Sequence, residues 1–256
     1  DEVVLTGSGE FSSANVGSYS DISITGITLS GTSASNYSLS STSASSSSAS
    51  ITPKTVSLSA TKVYDGGTTL TGYVTVGTGV GSETLTYTGA TASDAHVATA
   101  NKYVSAITLG DGTNGGLASN YQLPSMTAAN EKNQVTITAR TLTPSLTNTG
   151  VTKVYDGTTN APSGFSPTWS FTGLVSGDTE ATLSNTGIAY DSKDVSATKI
   201  TVSGLSLGSI TGNKNSAITD YTLDATSKYV IAAITPKTLT ASGMSVTTKT
   251  YDGTQT

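Results

Sequence analysis

The stretch KVYDGTT, Lys153 to Thr159, occurs three times in a chain rich in serine, threonine and glycine. It returns as KVYDGGTT from Lys62 to Thr69 and as KTYDGTQ from Lys249 to Gln255. Tyr64, Tyr155 and Tyr251 are thereby 91 and 96 residues apart. Two further strings keep the same beat. SNYSL (Ser35 to Leu39), SNYQL (Ser119 to Leu123) and TDYTL (Thr219 to Leu223) form one set. ASITPKT (Ala49 to Thr55), VTITART (Val135 to Thr141) and AAITPKT (Ala232 to Thr238) form the other. Three strings in one fixed order are the mark of a tandem array, because biased composition does not preserve order.

The fold class follows from what lies between these strings. ISITGITLSG at Ile22 to Gly31 parallels ITVSGLSLGS at Ile200 to Ser209. Both alternate apolar with polar residues, slip phase at a glycine, and alternate again. Successive side chains on a strand face opposite ways, so the slip predicts a bulge or a strand-to-strand bend at Gly26 and Gly204. In the middle copy Ala106 holds that place, ahead of Ile107 and Leu109, and the bend has to form without glycine. Val, Ile, Leu and Tyr stand singly among Thr and Ser, the composition of short strands joined by Gly-rich turns. SDAHVATANKYV, Ser93 to Val104, is the one helix candidate. A repeat of about 90 residues is too long for a solenoid coil and suits a self-contained sandwich of about seven or eight strands. The expectation is all-β: tandem Ig-like β-sandwich domains in an extended array. Pro53 and Lys54 leave almost no linker between one domain's last strand and the next one's first, which makes the array stiff.

Counted from the Ile-Thr string, residues 52–137 and 138–234 are complete repeats. Residues 1–51 are then the rear of one repeat and 235–256 the front of another. A second phase, 1–81, 82–177 and 178–256, aligns Asp1 with Ser82 and Asp178 and stays open.

Charged residues are 11% of the chain and the net charge is −5, so no basic patch exists for nucleic acid. The same low charge argues against disorder, although SLSSTSASSSSAS at Ser38 to Ser50 reads as a flexible linker. No apolar run approaches the ~18 residues of a membrane span. With no cysteine, disulfides and cysteine-based zinc sites are excluded. The opening DEVVLTGSG has no signal-peptide character and reads as the middle of a longer protein.

The recurring motif has a structural reading. Asp65, Asp156 and Asp252 bond nearby amides, and Gly66, Gly157 and Gly253 accept positive φ, so each pair sets a turn. Tyr64, Tyr155 and Tyr251 then clamp the core with their rings. A copied glycan or calcium site is the competing reading, but calcium takes ~6–8 oxygen ligands and the motif offers one carboxylate. GDGTNGG, Gly110 to Gly116, offers no more. GLSLG at Gly204 to Gly208 has the spacing of a hydrolase nucleophile elbow but sits in a strand, and His96 belongs to another repeat. No catalytic, metal or cofactor residue is expected. Trp169 and Phe171 alternate in PTWSFTG and face one side, as core or as a platform for a sugar ring.

KVYDGTT, GLVSGDTEATLSNTG (Gly173 to Gly187), DSKDVSATKITVSGLSL (Asp191 to Leu207), DYTL and ITPKTL together resemble the YDG/MBG-type repeats of large bacterial surface adhesins, including filamentous-haemagglutinin-like proteins. DEVVLTGSGEFSSANVGSY, Asp1 to Tyr19, resembles the same middle portion, so the likeness covers essentially the whole chain. The middle repeat departs most: His96 replaces Asn15 and Asp194, and YDGGTT carries an extra glycine. The resemblance implies a secreted or surface-anchored, extracellular protein whose repeats form stalks for adhesion. It implies no enzyme and no cofactor, with neighbouring repeats of the same chain as partners. The alternative is that the repeats themselves bind glycan or matrix ligands. Ice binding, suggested by TLTYT at Thr84 to Thr88, ranks lower because regular threonine ladders are missing.

Overall fold

In SLSATKV, Ser57 to Val63, every second side chain is buried, and the third of these is a lysine. That alternation defines a strand with one face in the core. The computed structural model describes residues 1–256 apart from Asp21, Ser47 and Thr256. Among the described residues the regular elements are β-strands and three single turns of 3-10 helix, with no α-helix. The chain divides into two compact units, Asp1–Ala139 and Arg140–Thr256.

The first unit contains β1 (Val4–Glu10), β2 (Gly17–Tyr19), β3 (Ile22–Ser30), β4 (Ala44–Ser46), β5 (Ala49–Ile51) and β6 (Lys54–Thr55). It continues with β7 (Ser57–Val63), β8 (Val74–Gly77), β9 (Leu85–Ala92), β10 (Val104–Asp111), β11 (Tyr121–Gln122) and β12 (Asn133–Thr138). Its sheets run β1-β3-β4, β2-β5, β10-β9, β11-β6 and β12-β7-β8. The second unit contains β13 (Arg140–Leu146), β14 (Val151–Val154), β15 (Trp169–Thr172), β16 (Asp178–Ser184) and β17 (Gly187–Tyr190). β18 (Lys199–Ser203), β19 (Ser206–Gly212), β20 (Tyr221–Leu223) and β21 (Ser227–Thr235) complete it. Here the orders are β15-β13-β20, β14-β21-β18-β17 and β16-β19.

Two pairings organise each repeat. A long antiparallel pair forms from β1 and β3, β9 and β10, and β16 and β19. In the two complete repeats a strand near the front also lies parallel to the last. Leu58 to Val63 of β7 pair with Asn133 to Thr138 of β12, and Val151 to Val154 of β14 with Ala232 to Thr235 of β21. A parallel pair needs a long crossover, and here nearly the whole repeat is that crossover.

Gly26 (φ +63°) sits at a register shift in the β1–β3 pair, and Gly204 (φ +64°) separates β18 from β19. Both are the bends the phase slip implies. The middle copy has two shifts: one between Val104 and Ala106, formed on β10 without glycine as expected, and one between Ala106 and Thr108, where Gly89 (φ +65°) on β9 supplies a positive φ that the phase slip did not indicate.

The serine-rich stretch is not simply a linker. Ala44 to Ser46 pair with Ile22 to Ile24, and Ala49 to Ile51 with Gly17 to Tyr19, so β3 and β2 recruit its backbone whatever the side chains are. Nor does Ser93 to Val104 form a helix. Asp94 Oδ1 accepts the His96 N–H at 2.6 Å, closing a local turn. The buried Lys102 ammonium takes the Val97 and Thr99 carbonyls. Those carbonyls would otherwise serve a helix.

The core of the second unit gathers Tyr190, Ala197, Ile200, Ala232 and Ile234, flanked by Val151, Phe165 and Val230. In the first unit Val56, Leu58, Tyr64, Leu70, Val104, Val135 and Ile137 are buried. Within residues 1–51, Ile22 is the only buried hydrophobic residue among those described.

Candidate functional site

The motif is a turn built on one carboxylate oxygen. Asp65 Oδ1 accepts the Gly67 N–H at 3.0 Å, Asp156 Oδ1 the Thr158 N–H at 2.9 Å, and Asp252 Oδ1 the Thr254 N–H at 2.9 Å. Gly66, Gly157 and Gly253 hold φ of +78°, +77° and +72°, a region open to glycine without strain. The Tyr-Asp-Gly reading left out the lysine three positions before the aspartate, which belongs to the same turn. Lys62 Nζ donates to Asp65 Oδ1 (2.7 Å), Gly67 O (2.7 Å) and Thr69 O (3.0 Å). Lys153 repeats the pattern with Asp156 Oδ1 and Thr158 O, both at 2.8 Å, and Lys249 with Asp252 Oδ1 at 2.7 Å. An ammonium has three donors, and Lys62 uses all of them, which is what allows it to be buried. The signal was present in the sequence: a lysine at one fixed spacing in all three copies of a lysine-poor chain.

Electrostatics follow the geometry. The Lys153 ammonium, and then the Thr158 N–H, hold the Asp156 carboxyl down at about 2, where a carboxylate with no such donors titrates near 3.8. Lys249 and Thr254 depress Asp252 in the same direction.

The tyrosine of the motif keeps its backbone role but not a uniform burial. Tyr64 N–H donates to Thr138 O at 2.8 Å and Tyr155 N–H to Thr235 O at 2.9 Å, so the motif is tied to the Ile-Thr string. Tyr64 is 0% exposed and its ring stacks on His96 at 6.0 Å. Tyr155 is 37% exposed and Tyr251 95%, so these two rings do not clamp a core as expected. Tyr155 instead lines an open groove of about 370 Å³ with Val195, Pro236 and Leu239.

The second string carries a different tyrosine contact, which sequence reasoning missed. A 3-10 turn, Ala34–Asn36, Ala118–Asn120 or Ile218–Asp220, delivers Tyr37, Tyr121 or Tyr221. Each hydroxyl donates to a carboxylate at the start of the long antiparallel pair. The pairs are Tyr37 with Asp1 (2.8 Å), Tyr121 with Glu83 (2.5 Å) and Tyr221 with Asp178 (2.5 Å). The Tyr221 hydroxyl also accepts the Val175 N–H at 3.0 Å. Burial, and then the Asp178 carboxylate, push Tyr221 up to about 12. The Glu83 carboxylate is the main cause that raises Tyr121. The acceptor positions vary between Asp and Glu, which hid the pairing from string matching.

The other candidates occupy ordinary positions. Trp169 and Phe171 are half-buried neighbours on one face of β15, paired with Leu146 and Pro144. Ser206 of GLSLG lies on β19, its hydroxyl 2.7 Å from that of Ser184. Asp111 of GDGTNGG caps its own loop through the Ala118 N–H at 2.7 Å. Among the described residues no three His, Cys, Asp or Glu side chains come together as a metal cluster.

Comparison with known proteins finds no match among curated proteins and none among solved structures. The YDG domain family, by contrast, matches residues 1–44, 47–128 and 138–232, three segments that between them carry two copies of the turn and all three tyrosine–carboxylate pairs described above. On that match, which spans most of its length, the chain belongs to the YDG domain family.

Proposed function

We propose that the chain is a spacer: serial repeats of a bacterial surface adhesin that project a binding region away from the cell and carry tension along the stalk. The observation that supports this most is the parallel pairing, in each complete repeat, of a strand near the front with the last strand. In a parallel pair the entry of the first strand and the exit of the last lie at opposite ends. Pulling on the chain therefore loads the bonds of β7–β12 in shear, all together, instead of one after another. Six residue pairs, Leu58–Asn133 through Val63–Thr138, share the load in the middle repeat. The turn adds a second tie, since Lys62 holds the end of β7 to Asp65, Gly67 and Thr69.

On this reading each repeat is an Ig-like sandwich module, secreted and extracellular, with no catalytic role, and the repeats stack into a stiff, elongated array. Contact between successive repeats supports the stiffness. Within the first unit the Asn120 side chain accepts the Val16 N–H at 2.9 Å and donates to Asn15 Oδ1 at 2.9 Å. Small-angle scattering on the chain tests the array: a rod is expected, and a compact particle overturns it.

The half-buried Trp169–Phe171 face supports a second reading, in which the third repeat binds glycan. A glycan array that responds to the chain and falls silent with Trp169→Ala, at unchanged thermal stability, would favour it over the spacer.

A further inference from the structure

Two lysines are buried among the described residues, and only one has a counterion. Lys62 lies against Asp65. Lys102, 6% exposed, donates to the Val97 and Thr99 carbonyls and makes no ion pair among the described residues. An ammonium has three donors, and these two bonds leave one over. Burying a cation is costly unless opposite charge answers it, so the remaining donor marks a place where an anion is favoured.

The third repeat shows what has been exchanged at this corner. Val135 N–H donates to Lys102 O and Ala232 N–H to Thr198 O, which makes Thr198 the counterpart of Lys102. Ser93 N–H donates to Tyr103 O and Asp191 N–H to Lys199 O, which makes Ser93 the counterpart of Asp191. In the third repeat the Asp191 carboxylate accepts the Thr198 N–H at 3.0 Å and the Thr198 hydroxyl at 2.8 Å. The middle repeat has gained an ammonium here and lost the acid. Asp94 and Glu131 flank the corner, but Asp94 Oδ1 is taken by the His96 N–H and neither carboxylate pairs with Lys102.

Two longer segments open a groove beside the lysine. The middle repeat has two more residues between Ala92 and Val104 than the third has between Tyr190 and Ile200. It has three more between Leu123 and Ile137 than the third has between Leu223 and Ile234. Each longer segment carries a left-handed residue, Asn101 (φ +53°) and Ala129 (φ +61°), and alanine has no side-chain bond to offset that strain. Asn101, Lys102, Ala129, Asn130, Gln134 and Thr136 line an open groove of about 200 Å³. Among the described residues the side chains of Asn101, Gln134 and Thr136 make no hydrogen bond, so two amides and a hydroxyl stand unengaged around it.

We infer that this groove binds a carboxylate flanked by hydroxyl groups, the chemistry of a uronic acid. The carboxylate takes the third donor of Lys102, and the sugar hydroxyls pair with the Asn101 and Gln134 amides and the Thr136 hydroxyl. Amides and hydroxyls both donate and accept, as sugar hydroxyls do. One ammonium suits a single carboxylate, whereas a phosphate calls for more cationic donors. The groove is smaller than the ~300 Å³ at which drug-sized pockets begin, which limits the ligand to about one sugar ring. The site belongs to a different repeat from Trp169 and Phe171, and is independent of the spacer reading and of glycan binding by the third repeat.

Calorimetric titration of glucuronate and galacturonate into the 256-residue chain, at constant ionic strength, tests the inference. Saturable binding of a uronate is expected. Glucose, galactose and inorganic phosphate should each bind about tenfold more weakly or worse, the worth of one charge-assisted hydrogen bond. Lys102→Met should weaken uronate binding by a similar factor. Two milder variants decide the matter even where that change unfolds the repeat. Ser93→Asp returns the acid from within and should exclude the uronate without lowering the melting temperature. Gln134→Ala removes an exposed amide and should weaken binding at an unchanged melting temperature. Glucose or phosphate bound as tightly as glucuronate overturns the inference. So does a uronate affinity indifferent to Ser93→Asp and Gln134→Ala, or no binding at millimolar uronate.

Discussion

Lys62 Nζ lies 2.7 Å from Asp65 Oδ1 with the lysine side chain 0% exposed and the aspartate 47% exposed, so the cation is inside and its counterion is at the surface. The asymmetry assigns the roles. The ammonium is the hub, and the turn wraps around it to supply one carboxylate and two carbonyl oxygens. Replacing Lys62 by methionine keeps the apolar stem but leaves Gly67 O and Thr69 O without their donor. The expected loss is about 1–2 kcal/mol, the cost of leaving part-buried acceptors and the counterion unpaired. Lys249, 38% exposed in the same motif, gives the internal comparison: Lys249→Met should leave the denaturation midpoint unchanged. Equal effects at the two positions would remove the hub from the argument.

Acid should weaken the turn of the third repeat in a defined window. Asp156 is held at about 2 in the folded chain against an ordinary 3.8, so the folded state binds this proton less readily than the unfolded one. Its stabilising contribution is complete above about pH 4 and is lost as pH falls toward 2. Asp191 and Asp224 are depressed too, by Thr198 and Lys228 respectively, and steepen the same limb. Asp156→Asn should flatten the fall of the urea midpoint between pH 4 and 2; an unchanged slope would count against the pairing.

At the alkaline end the sign reverses. Tyr221 is raised to about 12 from 10.0, so its stabilisation is present below pH 10 and disappears as pH climbs toward 12. Tyr221→Phe removes that limb. It also leaves the buried Asp178 with Ser216 as its remaining hydroxyl donor, at an expected cost of about 2 kcal/mol. A titration of tyrosinate absorbance during unfolding checks both.

Gly89 makes the second of the two register shifts in the middle repeat, and its replacement should show it. A Cβ there meets nothing within 4 Å, so the whole penalty of Gly89→Ala is the positive φ, about 1–2 kcal/mol. Ala106→Gly, made at the position where the phase slip points, should not restore it. If Ala106→Gly stabilised the chain, the bend would be on β10 after all.

The repeat, its order and the all-β class were legible because they rest on strings and alternation, which are local. Gly26 and Gly204 were legible for the same reason. Gly89 was not, because a bulge can be built from either strand of a pair, and only the pairing tells which. The lysine hub stood in plain sight but reads as an ordinary surface residue, since burying an ammonium needs acceptors that exist only once the turn has closed. The Tyr121–Glu83 and Tyr221–Asp178 bonds span 38 and 43 residues and tolerate either acid, so no string contains them. Tyr155 and Tyr251 mark the other limit: closely similar strings at Lys62, Lys153 and Lys249 hold rings of very different exposure, because burial depends on what packs over the motif.

Single-molecule pulling checks the shear argument directly. Val135 N–H points to Lys102 O, so along β12 the neighbouring Thr136 turns its N–H the opposite way, toward β7. Its side chain is exposed, so Thr136→Pro deletes a ladder bond without opening the core. Two complete repeats should give two unfolding peaks, and in Thr136→Pro the peak of the middle repeat should drop while that of the third keeps its force. Thr136→Ala, which keeps the N–H, should leave both peaks in place. Were Thr136→Pro to unfold at the parent force, the load would be running through some other part of the repeat, and the spacer reading would lose the observation that supports it.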